Sequence, residues 1–449
     1  MAKISHEPSK GYIVFHRWVR HVFERYYYKK IYRLHTENVP APGTPTVFVS
    51  NHQNSLLDAL QMIYAADNPF LHFICRADVF QNKILPKILY GLGLIPIYRI
   101  RDGIGKIKNN LDMFNDVEQY LHEGGMLTIY PEATHMDGNW LGRFYHTFVR
   151  LGFEAAQRSD FEQEVFILPA GLYYEDFKKL RTQSMIDFCE AFSLKPFYER
   201  YQASPRQTEE EVSAIIHHAV QEKILDVKDR EHYALVMDFI AYTEDAYAEK
   251  QKDVDMQQLP QALKVRQAIE AKLSGLMENE TEKLQTIYAH TEAYSQKLRR
   301  FGMNDKAFLN PFGKMELLSS ALLYLVLLPV YLLGMLPHIL LYWIAPVATM
   351  KIQDKLMQAS IDICVWAFGI PIFYLIYFIV IGCTNSWLFA LIFILLLPTL
   401  GKFAFWYHSN FQQDWKRLRA FLVKTRRPKS WKKLEQLRGT LTGDLESLL

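Results

Sequence analysis

A histidine and an aspartate in one short polar segment are the first residues that could do chemistry. In "SNHQNSLLDAL" (50–60), Asp58 follows His52 by six positions. Residues six apart lie about 240° apart around a helix, so the two could not meet on one helix. They can meet if His52 lies in the loop after the strand "TPTVFVS" and Asp58 lies in the helix that follows. Asn54 or Ser55 would then cap that helix.

In that geometry Asp58 could orient the imidazole of His52 and stabilise its protonated form. His52 would then be a positioned general base for a hydroxyl group. The alternative interpretation is a helix cap beside an unrelated surface histidine, which is the usual explanation for two such residues standing alone. The neighbouring segments bear on this choice.

Three further segments carry polar residues next to strand-like apolar runs. Arg99 and Arg101 occur in "GLGLIPIYRIRDG" (91–103), and two guanidinium groups at a strand end suit a phosphate. An ordinary solvated face is the alternative for these arginines. Glu132 and His135 occur in the turn of "LTIYPEATHMDG" (127–138), and "ILPAGLYY" (167–174) is a strand with a proline break.

In order and spacing, these four segments resemble the sequence blocks of the PlsC-type glycerolipid acyltransferases over roughly residues 45–195. The resemblance implies transfer of a fatty acyl group from a thioester to a hydroxyl of a glycerol phosphate. It implies no metal ion and no cofactor, with acyl-CoA or acyl carrier protein as co-substrate. It also implies that His52 is the base, Asp58 its partner, Arg99 the ligand of the acceptor phosphate, and Glu132 a residue that helps to hold the acceptor.

Departures from the family's pattern bear on the acceptor more than on the base. Five residues separate His52 from Asp58 where the family commonly has four, although a subset that includes fungal glycerol-3-phosphate acyltransferases resembles the longer form. Ala133 replaces the glycine that follows the motif glutamate. His135 or Arg143 would take the place of the usual arginine, which makes His135 a candidate acceptor ligand.

Composition narrows the class of protein. The net charge is only +3 over 449 residues, which does not favour a dedicated nucleic-acid binder. Half of the residues are hydrophobic and 14% are aromatic, which is high for a purely soluble protein. The four cysteines are far apart and form no Cys-x-x-Cys pair, so we expect neither a disulfide framework nor a zinc site.

The organisation along the chain predicts several regions. Residues 45–200 alternate apolar runs with helical stretches, which predicts an α/β acyltransferase domain with a largely parallel sheet. Residues 1–44 carry a basic, aromatic amphipathic helix that can lie at a membrane interface, with a core-packed helix as the alternative. Residues 201–312 are polar and rich in Glu, Lys, Gln and Ala, which predicts an all-α soluble region without chemistry of its own.

Residues 313–410 predict a helical membrane region. Segments 361–382 and 386–407 are each 22 residues long, enough for one span each. Segment 317–348 is longer than one span and contains Gly334 and three prolines, which favours a re-entrant or bent hairpin. Basic residues flank the later hairpin at both open ends, including the basic tail 411–449, so both ends should be cytoplasmic.

We therefore expect an integral membrane enzyme whose catalytic domain faces the cytoplasm, at a bacterial inner membrane or, in a eukaryote, at the endoplasmic reticulum. Its partners would be acyl-CoA or acyl carrier protein, glycerol-3-phosphate or a lysophospholipid, and the lipid bilayer, with no nucleic acid. Two alternatives stay open. One is acylation of another lyso-lipid, such as an amino-acid lipid. The other is a non-catalytic membrane-associated interaction protein that binds through residues 201–312.

Overall fold

A computed structural model describes residues 4, 7–68, 71–80, 85–97, 104–134, 136–177, 179–350 and 355–449. The chain forms two compact units. The first comprises Met1–Asp226 and Ile352–Ile363, and the second comprises Val227–Lys351 and Cys364–Leu449.

An eight-stranded sheet forms the centre of the first unit in the described residues. The strands lie in the order β1-β7-β6-β2-β5-β3-β4, and β8 pairs with β6. All neighbouring pairs are parallel except β6 with β7 and β6 with β8, which confirms the predicted α/β domain with a largely parallel sheet. The strand bounds are β1 Lys30–Leu34, β2 Thr46–Ser50, β3 His72–Arg76, β4 Leu94–Ile97, β5 Met126–Ile129, β6 Phe166–Tyr174, β7 Gln183–Phe188 and β8 Phe192–Ser193.

Helices cover the sheet because its central strands are apolar on both faces. Strand β2 is buried at every position, and a strand buried on both faces needs cover on both sides. One large core cluster joins β2, β5 and β6 to apolar residues of the helices α5 and α7. The helices that follow the strands are α2 Leu56–Ala65, α3 Leu85–Gly91, α4 Ile104–His122, α5 Thr147–Gln157, α6 Tyr198–Ala203 and α7 Pro205–Gln221.

The N-terminal segment, which precedes the predicted domain start at residue 45, is part of this unit. The amphipathic helix is present as α1 (Lys10–Val22), and its N–H of Tyr12 donates to the side chain of the cap residue Ser9. However, α1 packs on α2, where the rings of His16 and Tyr64 lie 4.9 Å apart. Strand β1 (Lys30–Leu34) then pairs with β7. Contact of α1 with a membrane interface stays a prediction.

The second unit is helical, as the sequence predicts for the region after residue 200. Its first helix, however, is not α7, because the first unit continues to Asp226. The predicted basic tail contains a folded helix, α16, whose Trp431 and Leu434 are buried. The helices of this part are α8 Tyr233–Glu249, α9 Leu259–Asn279, α10 Thr281–Phe301, α11 Asp305–Leu309 and α16 Pro428–Glu446.

Four apolar helices make up the predicted membrane region: α12 Lys314–Met335, α13 Ile339–Thr349, α14 Lys355–Thr384 and α15 Trp387–Arg426. Three segments of the described chain are long and apolar enough to cross a membrane, namely Lys314–Ile344, Ser360–Thr384 and Trp387–Arg426. Their large hydrophobic side chains are mostly exposed to the surroundings rather than packed inside protein. This combination is typical of membrane-embedded helices.

The contacts of α12 imply a bend after it. The hydroxyl of Tyr407 on α15 donates to the carbonyl of Tyr324, and further along α12 a side chain at Gly334 would collide with the carbonyl of Leu400. Helix α12 is therefore antiparallel to α15. Helix α14 is also antiparallel to α15, since only Asn385–Ser386 joins them. Because α12 and α14 begin at the same end of α15, the chain must turn back between them. The placement of that turn in a membrane stays a prediction.

Candidate active site

The candidate site lies where strand β2 ends. The Asn51 side chain, one residue beyond β2, makes the pair of backbone hydrogen bonds to β6 that a strand residue would make. Its amide donates to the carbonyl of Leu172 on β6 at 2.9 Å and accepts from the Leu172 N–H at 2.8 Å. This pairing ends the strand firmly, and the next residue, His52, begins the loop that leads to α2.

The structure brings His52 and Asp58 together in the arrangement that their spacing allows. Nδ1 of His52 lies 2.8 Å from Oδ2 of Asp58, which sits in the first turn of α2 and is fully buried. The N–H groups of Gln53 and Asn54 donate to the same oxygen at 2.9 and 2.7 Å. The loop therefore wraps around the carboxylate. Oδ2 of Asp58 thus has two backbone donors at the N-terminus of α2.

The expected side-chain cap of α2 is wrong. Ser55 occupies the cap position with a φ of 48°, but its side chain makes no cap hydrogen bond within the described part of the chain. The Asn54 amide instead donates to the carbonyl of Phe177 at 3.1 Å. The first N–H of the helix, at Leu56, donates to the hydroxyl of Ser360 at 3.1 Å. Ser360 lies in the part of α14 that belongs to the first unit.

An aromatic ring from β5 fixes the plane of the imidazole. Tyr130 follows β5 directly, and its ring stacks on that of His52 with centroids 4.0 Å apart and planes 10° from parallel. Stacking at this distance restrains rotation of the imidazole. No pattern in the sequence marked Tyr130 as a site residue, although it lies two positions before Glu132.

Glu132 is buried, and its carboxylate accepts hydrogen bonds from two backbone N–H groups. Its Oε1 accepts the N–H of His52 at 2.8 Å, and its Oε2 accepts the N–H of Gly142 at 2.9 Å. Burial raises the pKa of Glu132 to about 7, against the effect of these two hydrogen bonds, so this carboxyl changes protonation state near neutral pH. Glu132 has 3% of its surface exposed, and its predicted part in holding the acceptor stays a prediction.

Helix α7 holds the loop that contacts Glu132, although the sequence analysis assigned it to a region without chemistry. A ring nitrogen of His217 lies 3.1 Å from the carbonyl of Gly142. Just beyond α7, Asp226 accepts the N–H of Leu141 at 2.8 Å. A Cβ atom at Gly142 would lie 2.4 Å from Cε of Met136 and 2.6 Å from Oε2 of Glu132, so a larger residue there would displace these side chains. No local pattern in the sequence reveals these partners.

The departure at Ala133 has a backbone consequence. Ala133 adopts a φ of 57°, in the left-handed region that favours glycine. The resembling family carries glycine at this position. The same left-handed turn therefore forms with alanine, whose Cβ atom makes this backbone conformation less stable than it would be with glycine.

Three predicted acceptor ligands, Arg99, Arg101 and His135, lie outside the described residues. Their roles stay predictions. Three other histidine–aspartate pairs are present in the described chain. In one of them Nδ1 of His35 lies 2.6 Å from Asp187, and Lys223 also binds that carboxylate at 3.1 Å. The His35–Asp187 pair lies beside β1, separated from β2 by β7 and β6. A close His–Asp pair is therefore not by itself evidence for a catalytic site.

Comparisons with known proteins match the part of the chain that carries this site. The family model described as Acyltransferase matches residues 31–173. A chloroplastic 1-acyl-sn-glycerol-3-phosphate acyltransferase of Arabidopsis thaliana is 28% identical over 108 residues, which is 24% of this chain and 28% of the relative. The corresponding chloroplastic enzyme of Brassica napus is 26% identical over 108 residues, covering 24% of this chain and 29% of the relative. Each match thus spans less than a third of the relative's length.

A solved structure is also similar. It is the crystal structure of the 1-acyl-sn-glycerophosphate acyltransferase from Thermotoga maritima, with 14% identity and a TM-score of 0.35. The likeness covers 47% of this chain and 78% of that protein. The family match begins within β1 and includes His52, Asp58 and Glu132. Residues 31–173 therefore form an acyltransferase domain of the PlsC type.

Proposed function

We propose that this chain transfers a fatty acyl group from an acyl thioester to a hydroxyl of glycerol-3-phosphate or lysophosphatidate. The observation that carries the proposal is the His52–Asp58 pair, which lies at the end of β2 inside the segment that matches the acyltransferase family. The two plant relatives bear names that specify 1-acyl-sn-glycerol-3-phosphate as the acceptor, which favours a phosphorylated glycerolipid acceptor here.

The pair supports a direct transfer. Because Nδ1 of His52 is engaged by Asp58, Nε2 is the nitrogen that takes the proton of the acceptor hydroxyl. The acceptor oxygen then attacks the thioester carbonyl, and a tetrahedral intermediate forms. As the carbon–sulfur bond breaks, the imidazolium returns its proton to the leaving thiolate. The buried Asp58 stabilises the imidazolium between these two steps. A positioned base of this kind contributes roughly 10²–10⁴-fold to the rate.

Acceptor recognition is assigned to Arg99 and Arg101 by their types and position in the sequence. Guanidinium groups bind phosphate through two parallel hydrogen bonds, which suits an acceptor phosphate. His135 is the third candidate ligand. In this proposal Glu132 acts on the acceptor only indirectly, because both of its carboxylate oxygens bind the backbone.

The apolar helices favour a membrane-bound enzyme, which suits a lipid acceptor and a lipid product. Helix α1 adds a basic and aromatic surface whose Val14 side chain is 70% exposed. A basic amphipathic helix of this type binds anionic lipid surfaces. We place the catalytic domain on the cytoplasmic side, because basic residues lie at the open ends of the hairpin α14–α15.

Two other functions compete with this proposal. Acylation of a different lyso-lipid, such as an amino-acid lipid, would use the same base with another acceptor pocket. A non-catalytic interaction protein would keep the fold without the transfer reaction. The intact His52–Asp58 geometry favours an enzyme over the second alternative.

One assay separates these functions. The full chain, purified in detergent, is given labelled acyl-CoA or acylated carrier protein, with glycerol-3-phosphate, lysophosphatidate or an amino-acid lysolipid in parallel. We expect labelled product with one of the two glycerol phosphates. Product with the amino-acid lysolipid alone would support the first alternative. No acyl transfer to any acceptor from either donor would refute the proposal.

A further inference from the structure

A buried hydroxyl group reaches the oxygen of Asp58 that His52 does not use. Strand β6 extends beyond the end of β2. Ala170 pairs with Ser50, the last residue of β2, and β6 continues to Tyr174. The Tyr174 hydroxyl donates to Oδ1 of Asp58 at 2.5 Å. Tyr174 is 2% exposed and Asp58 is fully buried, so water does not compete for this bond.

The bond divides the Asp58 carboxylate into two sides. Oδ2 accepts hydrogen bonds from the His52 ring and from the N–H groups of Gln53 and Asn54. Oδ1 accepts a hydrogen bond from the Tyr174 hydroxyl. A phenol held on Oδ1 fixes the rotation of the carboxylate, so that Oδ2 stays directed at the imidazole. It also draws negative charge away from Oδ2, which limits how strongly Asp58 favours the imidazolium.

We propose that Tyr174 is a positioning residue that sets, through Asp58, the pH range in which His52 acts as a base. This inference rests on the acyl transfer proposed above. Without the phenol, Asp58 would favour the imidazolium form of His52 up to a higher pH. His52 would then be available as a base only at higher pH, and its plane and distance to the acceptor would be less well fixed.

Few groups near Asp58, other than His52 and Tyr174, could shift the pH dependence of the activity. In the described chain, the groups whose charge interacts with Asp58 include the phenols of Tyr28, Tyr130 and Tyr174 and the carboxyl of Glu132. Burial raises the pKa of all three phenols well above the ordinary value, so they remain uncharged donors throughout an assay. Glu132, whose pKa is raised to about 7, titrates in the assay range but binds no phenol.

Tyr28 provides a matched control. Its ring lies 6.2 Å from that of Tyr174 at an interplanar angle of 26°, and it is equally buried. Its hydroxyl has no hydrogen-bond partner among the described residues. Tyr28→Phe therefore removes a hydroxyl from the same surroundings without removing a donor to Asp58.

The test compares the dependence of kcat/KM on pH for the full-length wild type, Tyr174→Phe and Tyr28→Phe. We expect the acidic limb of Tyr174→Phe to move up by about half a pH unit to one unit, with the largest loss below pH 7. We expect the Tyr28→Phe profile to coincide with that of the wild type. An unshifted limb in Tyr174→Phe, or an equal shift in both variants, would overturn the inference.

A second variant keeps the test decisive if Tyr174→Phe does not fold. A ring-fluorinated tyrosine at position 174 keeps the shape but makes the hydroxyl a stronger donor, so the acidic limb should move down. An upward or absent shift there would contradict the inference. An inactive wild type would instead refute the proposed acyl transfer, which keeps the two failures distinct.

Discussion

At the scale of single residues, two buried carboxylates organise the site, and they do so differently. Asp58 binds the His52 imidazole directly, and its carboxylate also accepts hydrogen bonds from two backbone N–H groups and the Tyr174 phenol. Glu132 joins the backbone of His52 to that of Gly142 and touches no other side chain through its hydrogen bonds in the described chain. Asp58 therefore orients the ring, whereas Glu132 places the segment from which the ring projects.

Glu132→Gln tests whether this residue holds the backbone or the acceptor. A neutral amide offers one acceptor oxygen, so the N–H of either His52 or Gly142 loses its partner. We expect kcat to fall by about tenfold or more because the base is displaced, while the acceptor KM changes by less than about threefold. Steady-state kinetics measures both values. A selective rise in the acceptor KM would instead assign Glu132 to the acceptor.

Ala133→Gly tests the left-handed turn after Glu132. Glycine adopts a φ of 57° without the Cβ penalty, so we expect the free energy of unfolding to rise by about 0.5–1 kcal/mol. Ala66→Gly is the matched control, because Ala66 is right-handed with a φ of −71° and should lose stability on the same change. Denaturant unfolding compares the two. Destabilisation by both substitutions would contradict the turn geometry.

The residues of the site differ in how far the sequence reveals them. His52 and Asp58 could be paired from the sequence because one loop and one helical turn separate them. The bond from Tyr174 to Asp58 joins residues 116 positions apart, and an apolar strand pattern says nothing about where its last hydroxyl points. Gly142 was equally hidden, since the side chains that a larger residue there would displace, Met136 and Glu132, are brought beside it by the fold.

At the scale of elements, helix α2, which carries Asp58, depends on a distant segment for a hydrogen bond in its first turn. The N–H of Leu56 is bound by Ser360, which is only 7% exposed, while the nearby Ser55 leaves the cap unmade within the described chain. An unsatisfied N–H at a helix start lowers stability, and here it would do so two residues before Asp58.

Ser360→Ala tests this distant cap. Loss of a helix-capping side chain costs about 1 kcal/mol, so the first unit should unfold at a lower denaturant concentration. Ser55→Ala is the control and should change stability by less than about 0.5 kcal/mol. Chemical unfolding followed through the aromatic residues gives both values. Equal losses from the two substitutions would show that Ser360 is not the cap.

Element assignments from sequence failed where the pattern was local but the partner was not. Strand β1 follows directly on a basic, aromatic helix, so its five residues read as a continuation of that helix. Helix α7 has the amphipathic pattern of the helices after it, but its apolar face packs into the sheet's core cluster. Periodicity identifies an apolar face, whereas the partner of that face depends on the tertiary fold.

At the scale of the whole molecule, the order of the apolar helices carries a topological prediction. Because α12 and α14 begin at the same end of α15, Lys314 and Lys355 should lie on the same side of the membrane. Only the turn at Asn385 should reach the other side. In a variant without native cysteines, Lys314→Cys and Lys355→Cys should react with an impermeant reagent only after permeabilisation. Asn385→Cys should react in intact cells.

Opposite accessibility of positions 314 and 355 would contradict this topology. It would mean that the segment Lys314–Ile344 crosses the membrane completely, as its length permits. The spans themselves could be predicted from the sequence, since composition and length are sufficient. The prediction of the bend rested on weaker signals in the sequence, namely the prolines and Gly334. Because Gly334 has no side chain, α12 can approach the backbone of α15 closely.

We propose that the His52–Asp58 pair performs acyl transfer, and the His35–Asp187 pair of the same chain provides a control. The most direct measurement is the rate of labelled acyl transfer by His52→Ala and His35→Ala, each purified and folded as the wild type. We predict a loss of roughly 10²–10⁴-fold for His52→Ala and a rate within about threefold of wild type for His35→Ala. Near wild-type turnover by His52→Ala would contradict the account.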